Sequence, residues 1–166
     1  VNIIIGDSNI YYIYIADWSM IMKNISVVYA TKTQHSRKLA EAIGKEFGVE
    51  AINITQHPHP KAAGLLFLVG GIYAGKSNPD LLSYAEKLDA SIAGKVVLVT
   101  SSASATHRNQ RDLRKLLVEK GIEVVDEITC PGGFLFIKIG RPNKTDIRSV
   151  VEDAKNISRK VATSWA

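Results

Sequence analysis

The sequence predicts one α/β domain, a doubly wound five-stranded parallel sheet with helices on both faces. Three observations lead there. Short apolar runs alternate with amphipathic stretches from Ile25 onward, as buried parallel strands and crossover helices require. A chain of 166 residues, 46% hydrophobic and 22% charged, has the size and balance of a single ordinary domain. No internal repeat or low-complexity linker interrupts the alternation.

Taken in order, Ile25 to Ala30 is the first strand. Ser36 is expected to cap a helix whose Leu39, Ile43 and Phe47 recur on one face, with Gly48 as a left-handed stop. Val49 to Ile54 is the second strand. Thr55 to Gly64 carries Pro58 and Pro60 and is expected to be a loop with one turn at most. Leu65 to Val69 is the third strand. Asn78 and Pro79 mark a helix entrance, with Leu81, Leu82, Ala85 and Leu88 as its apolar stripe and an end near Gly94. Val96 to Thr100 is the fourth strand, and Ser101 to Arg108 a polar loop. A helix with Leu113, Leu116 and Leu117 inward ends at Gly121, and the fifth strand starts at Ile122. The last helix begins near Thr145 and buries Ile147, Val150, Val151, Ala154, Ile157 and Val161.

Residues 1–21 differ from the rest: they hold no Lys or Arg, only Asp7 and Asp17 as charges, and Ile and Tyr without clear period. They are expected to be an N-terminal extension outside the native domain, which then spans 22–166. The apolar run Ile10 to Ala16 is too short to cross a membrane and has no basic residue before it, so a soluble, cytoplasmic protein is expected. Cys130 is the single cysteine, which excludes an internal disulfide and fits a reducing compartment.

Lys and Arg number 21 against 16 Asp and Glu, giving a net charge of +5; without the two aspartates of the extension the remainder carries +7. Such a balance favours anionic partners in general. The basic residues are spread among helices and no nucleic-acid module motif occurs, so nucleic acid is not an expected partner.

Open α/β sheets bind ligands at the carboxyl ends of their strands. Three segments follow strands there. Thr31, Lys32, Thr33, Gln34, His35 and Ser36 follow the first strand and lead into a helix, where hydroxyls and free N–H groups suit a phosphate. Gly71, Ile72, Tyr73, Ala74 and Gly75 follow the third, with glycines that let backbone approach a flat ligand and a tyrosine to stack on it. Residues 70–77 also match the Walker A string, with Lys76 and Ser77 as its Lys and Ser, which leaves a P-loop nucleotide module as an alternative; Pro79 fits that poorly. Ser101, Ser102, Ala103, Ser104 and Thr106 follow the fourth strand and could line the other side. His57 and His59 flank Pro58 without a third ligand and are read as a solvated loop rather than a metal site. No Ser/His/Asp order or carboxylate pair stands out, so no catalytic side chain and no metal ligand are assigned.

The run Tyr29-Ala30-Thr31-Lys32-Thr33-Gln34-His35-Ser36, continuing into Arg37-Lys38-Leu39-Ala40, resembles the phosphate-binding loop of the flavodoxin family, T-x-T-G-x-[ST]. The segment Gly71-Ile72-Tyr73-Ala74-Gly75-Lys76 is similar to the ring-contacting loop of the flavodoxin domain of menaquinone-dependent protoporphyrinogen oxidases. Cys130, Gly133-Phe134 and Gly140-Arg141-Pro142-Asn143 with Asp146 are similar to the tail of small bacterial flavodoxin-like proteins. The resemblance spans Lys23 to about Ala162 and implies the strand order 2-1-3-4-5. It implies noncovalently bound FMN, its phosphate held by residues 31–36 and its ring flanked by 71–75 and 101–106. It further implies an electron-transfer protein, or an oxidase or quinone reductase on the same scaffold, whose partner is a redox protein or a quinone, with peripheral membrane contact compatible with the charge. Gln34 stands where the family has Gly, the third loop lacks the family's aromatic and acidic residues, and the domain is basic where flavodoxins are commonly acidic.

Overall fold

The computed structural model describes residues 24–32, 34–73, 75–102, 110–131 and 142–164. The elements are β1 (Ile25–Tyr29), α1 (His35–Phe47), β2 (Ala51–Asn53), β3 (Ala63–Tyr73), β4 (Lys76–Ser77), α2 (Pro79–Ala85), β5 (Ala93–Ser102), α3 (Arg111–Glu119), β6 (Glu123–Pro131) and α4 (Lys144–Thr163). The main sheet runs β2-β1-β3-β5-β6, all parallel, and β4 folds back antiparallel on the end of β3. Counting only the five parallel strands, the order is the predicted 2-1-3-4-5. The extension at residues 1–21 lies outside the described residues.

Alternation along each strand divides the core between two faces. Val27 and Tyr29 of β1, and Leu65, Phe67 and Val69 of β3, pack with Leu39, Ile43 and Phe47 of α1 and Val150, Ala154 and Ile157 of α4. Phe47 stacks on Phe67 with ring centroids 5.6 Å apart. On the opposite face Val28, Leu66 and Leu68 meet Leu81 and Ala85 of α2 and Leu113 and Leu117 of α3. Leu82, Leu116, Ile147 and Val151, expected inward, are half-buried.

The differences from the sequence-based expectation are local. The second strand is three residues, Ala51–Asn53, not Val49 to Ile54. The third strand continues past Val69 to Tyr73, because Gly70 and Gly71 pair with Thr100 and Ser101 of β5 and β4 then closes a hairpin. Gln34, not Ser36, is the N-cap of α1, and Ser36 is buried inside the first turn. The helix at Pro79 stops at Ala85, well short of Gly94; the Asp89 carboxylate accepts from the Ser91 N–H, the Ser91 hydroxyl and the Ile92 N–H, which favours turns over another helical turn. Gly48 does end α1, at φ 67°. Of the loop expected over Thr55 to Gly64, Thr55 to Ala62 has no helix, but Ala63 and Gly64 open β3. Among the described residues no helix is long and apolar enough to cross a membrane.

Candidate functional site

Parallel pairing brings three predicted segments to one end of the sheet. The Ala30 N–H donates to the Val69 carbonyl at 3.1 Å, and Gly71 lies beside Ser101 in register. The residues after β1, the end of β3 and the end of β5 are therefore neighbours at the carboxyl edge, where order reverses between β1 and β3.

After β1, Thr31 is half-buried and its Oγ1 is shielded from solvent without a hydrogen-bond partner among the described residues. Lys32 and Gln34 are exposed, His35 is half-buried and Ser36 is buried. Gln34 has φ 65° and ψ −5°, the single non-glycine at positive φ among the described residues. A Cβ in the left-handed region costs about 1–2 kcal/mol, which is why glycine suits this position. The amino end of α1 has no side-chain cap and no acid in its first turn. The other helices differ: Asn78 caps α2 and Asn143 caps α4 with Asp146 completing a capping box, while α3 carries Asp112 in its first turn. The first-turn N–H groups and positive dipole of α1 thus meet no capping side chain and no first-turn carboxylate among the described residues. Burial, and secondarily the nearby Lys38 ammonium, hold the His35 imidazole below its ordinary range.

Gly71, Ile72 and Tyr73, expected in a loop, lie on β3, and Gly75 turns the hairpin at φ 78°. A Cβ on Gly71 would sit 2.9 Å from the Tyr73 hydroxyl and 3.0 Å from its Cζ. The missing side chain is what lets the Tyr73 ring fold back over the strand end. From there its hydroxyl accepts from the Lys32 N–H at 3.2 Å, and the Lys32 ammonium lies 5.1 Å from the ring centroid. Tyr73 therefore ties the first segment to the second. Of the third segment, Ser101 and Ser102 are buried in the end of β5. Thr33, Ala74, Ala103, Ser104 and Thr106 lie outside the described residues.

The Walker A reading does not survive the geometry. Lys76 and Ser77 form a strand paired with Tyr73 and Ile72, whereas a P-loop needs them to open a helix. The Ser77 hydroxyl donates to Asp112 Oδ1 at 2.6 Å and its N–H donates to Asp112 Oδ2 at 3.2 Å, so the hydroxyl is committed to the fold. This two-point contact fastens the hairpin to α3.

Sequence reasoning missed three polar groups beside this end of the sheet. Asn78, Thr100 and Gln110 are buried, and Asn78 Nδ2, Thr100 Oγ1 and Gln110 Oε1 have no hydrogen-bond partner among the described residues. Thr100 was legible as a hydroxyl ending an apolar strand; Gln110 gave no signal.

No protein-family model matches the sequence, and no curated protein matches it. Solved structures do. A flavodoxin from Streptococcus pneumoniae aligns with a TM-score of 0.59 at 15% identity, covering 82% of this chain and 98% of that one. Oxidised Flavodoxin 2 from Bacillus cereus aligns at 0.53 and 17% identity, over 82% of this chain and 99% of that one. An NAD(P)H:quinone oxidoreductase from Methanothermobacter marburgensis aligns at 0.54 and 11% identity, over 82% and 94%. Identities this low speak to architecture alone, and on that ground, with the strand order and the two helical layers already in place, the chain has the flavodoxin-like fold.

Proposed function

We propose that this protein binds FMN at the carboxyl edge of the sheet and carries electrons between a donor and a redox protein or quinone. The observation that carries the reading is the amino end of α1, without a capping side chain or first-turn acid, beside a Thr31 hydroxyl that has no hydrogen-bond partner among the described residues. Both are groups that a phosphate satisfies: the N–H groups donate to it and the hydroxyl rotates to do the same. The residues present therefore fit the phosphate end of the cofactor.

In this reading the first turn of α1, with Thr31 and Ser36, holds the phosphate, and Lys32 adds a positive charge. Gly71 keeps the strand end open to a flat ring, Tyr73 supplies an aromatic face, and Ser101 and Ser102 border the other side. FMN, when bound, supplies the redox chemistry. In this reading the chain's own residues bind, orient and shield.

A visible absorption spectrum of the protein purified without added cofactor, followed by FMN titration with ATP as a parallel control, tests the proposal. A yellow protein or saturable FMN binding without ATP binding is the expected result. Failure to take up FMN at any accessible concentration would overturn it.

A further inference from the structure

A second pocket lies on the opposite face of the sheet from α1. The other strand crossovers described carry α1, α2 and α3, but the crossover from β2 to β3 has no helix among its described residues. Its place is taken by the strap His57-Pro58-His59-Pro60-Lys61. A proline after each histidine disfavours helix, and the exposed strap bends at His59. His57, His59 and Lys61 line a cavity of about 170 Å³, while Pro58 and Pro60 do not. The Lys87 ammonium donates to the Pro58 carbonyl at 3.2 Å and pins the strap from outside. Ser26 of β1 and the buried Tyr84 of α2 complete the donor-bearing wall, and Glu50 is the one acid that lines it. Burial pushes the Tyr84 phenol above its ordinary range, which keeps it a protonated donor.

We infer that this pocket is a binding site for the phosphate group of a small ligand, independent of the carboxyl-edge site. His57, His59 and Lys61 line it from the exposed strap, and Ser26 and Tyr84 line it from the sheet and α2, a gathering of donor-bearing residues from several directions that suits a tetrahedral oxyanion. Lys61 provides the point charge. Among the described residues no group of three His, Cys, Asp or Glu side chains is placed to hold a metal ion, so Glu50 does not join the histidines as a ligand set.

Side-chain NMR of the histidines in the full chain tests this, with inorganic phosphate added at constant ionic strength. The imidazole signals of His57 and His59 are expected to move together and saturably, with one midpoint that Lys61→Ala weakens roughly ten-fold and Lys76→Ala leaves unchanged. His35 reports the amino end of α1 separately, so loss of phosphate binding there and loss of it here are distinguishable. Acetate at matched concentrations is expected to produce no saturable shift. An equal response to acetate, a phosphate response confined to His35, a midpoint insensitive to Lys61→Ala, or stoichiometric capture of zinc by His57 and His59 without a phosphate response would each overturn the assignment.

Discussion

The Tyr73 hydroxyl accepts a hydrogen bond from the Lys32 backbone N–H at 3.2 Å across 41 residues of chain, and the same lysine's ammonium lies 5.1 Å from the Tyr73 ring centroid. One aromatic side chain thus fixes the spacing between the segment that would hold a phosphate and the one that would face a ring. Tyr73→Phe keeps the ring and removes the acceptor, and is expected to weaken FMN binding by about three-fold, near the net worth of one hydrogen bond. Tyr73→Ala removes the ring as well and is expected to weaken it by about ten-fold or more. Fluorescence titration of both variants checks the order of the two effects.

Gln34 occupies a left-handed backbone without the benefit of being glycine. Gln34→Gly is expected to stabilise the fold by about 1 kcal/mol, since relief of the Cβ strain exceeds glycine's added unfolded-state entropy. Urea unfolding measures it. A destabilised variant would mean that the Gln34 side chain makes a contribution larger than the strain.

The two neighbouring glycines of β3 should separate fold from site. A Cβ on Gly70 would fall 1.9 Å from Cδ1 of the buried Leu81, so Gly70→Ala is expected to cost about 1–3 kcal/mol of stability. A Cβ on Gly71 presses on the half-buried Tyr73 ring, which can swing away. Gly71→Ala should therefore reduce FMN affinity by more than it reduces stability. Paired unfolding and titration curves on the two variants decide this.

The Ser77–Asp112 contact predicts the reverse pattern at the discarded nucleotide motif. Asp112→Ala removes the acceptor of both Ser77 bonds and is expected to cost about 1–2 kcal/mol. Lys76→Ala touches only an exposed side chain and should leave stability within about 0.5 kcal/mol and FMN affinity unchanged.

His35 predicts a pH dependence. Burial first, and then the Lys38 charge, lower its pKa in the folded state below the ordinary 6.5. Between the two values the unfolded chain binds more protons, so stability rises with pH. The contribution is complete above pH 6.5 and is lost as pH falls through the lowered folded value. Denaturation across that window should show the slope in the parent protein and a shallower one in His35→Gln.

How much of this the sequence made legible depends on the range of the interaction involved. Strands such as Leu65 to Val69 are visible because every residue is apolar and buried on both faces, and the helix faces because Leu39, Ile43 and Phe47 repeat at four-residue spacing. What escaped was set by pairing between distant segments. Gly70 to Tyr73 reads locally as a loop, and only its register against Thr100 and Ser101 makes it strand. The cap of α1 was misplaced because Ser36 satisfies the local rule for caps, whereas Gln34 takes the position through a backbone conformation its residue type does not favour. His57 and His59 are exposed, as the solvated-loop reading has them; the cavity they line with Ser26 and Tyr84 depends on strand and helix placement that no local pattern encodes.

Titrating the protein with FMN and riboflavin side by side decides whether a phosphate at the amino end of α1 anchors the flavin, because the two share the ring and differ by the phosphate. Saturable FMN binding is expected, with riboflavin weaker by roughly 100-fold, about the worth of two charge-assisted hydrogen bonds. Equal affinity for the two flavins, or binding of neither, would contradict that anchoring.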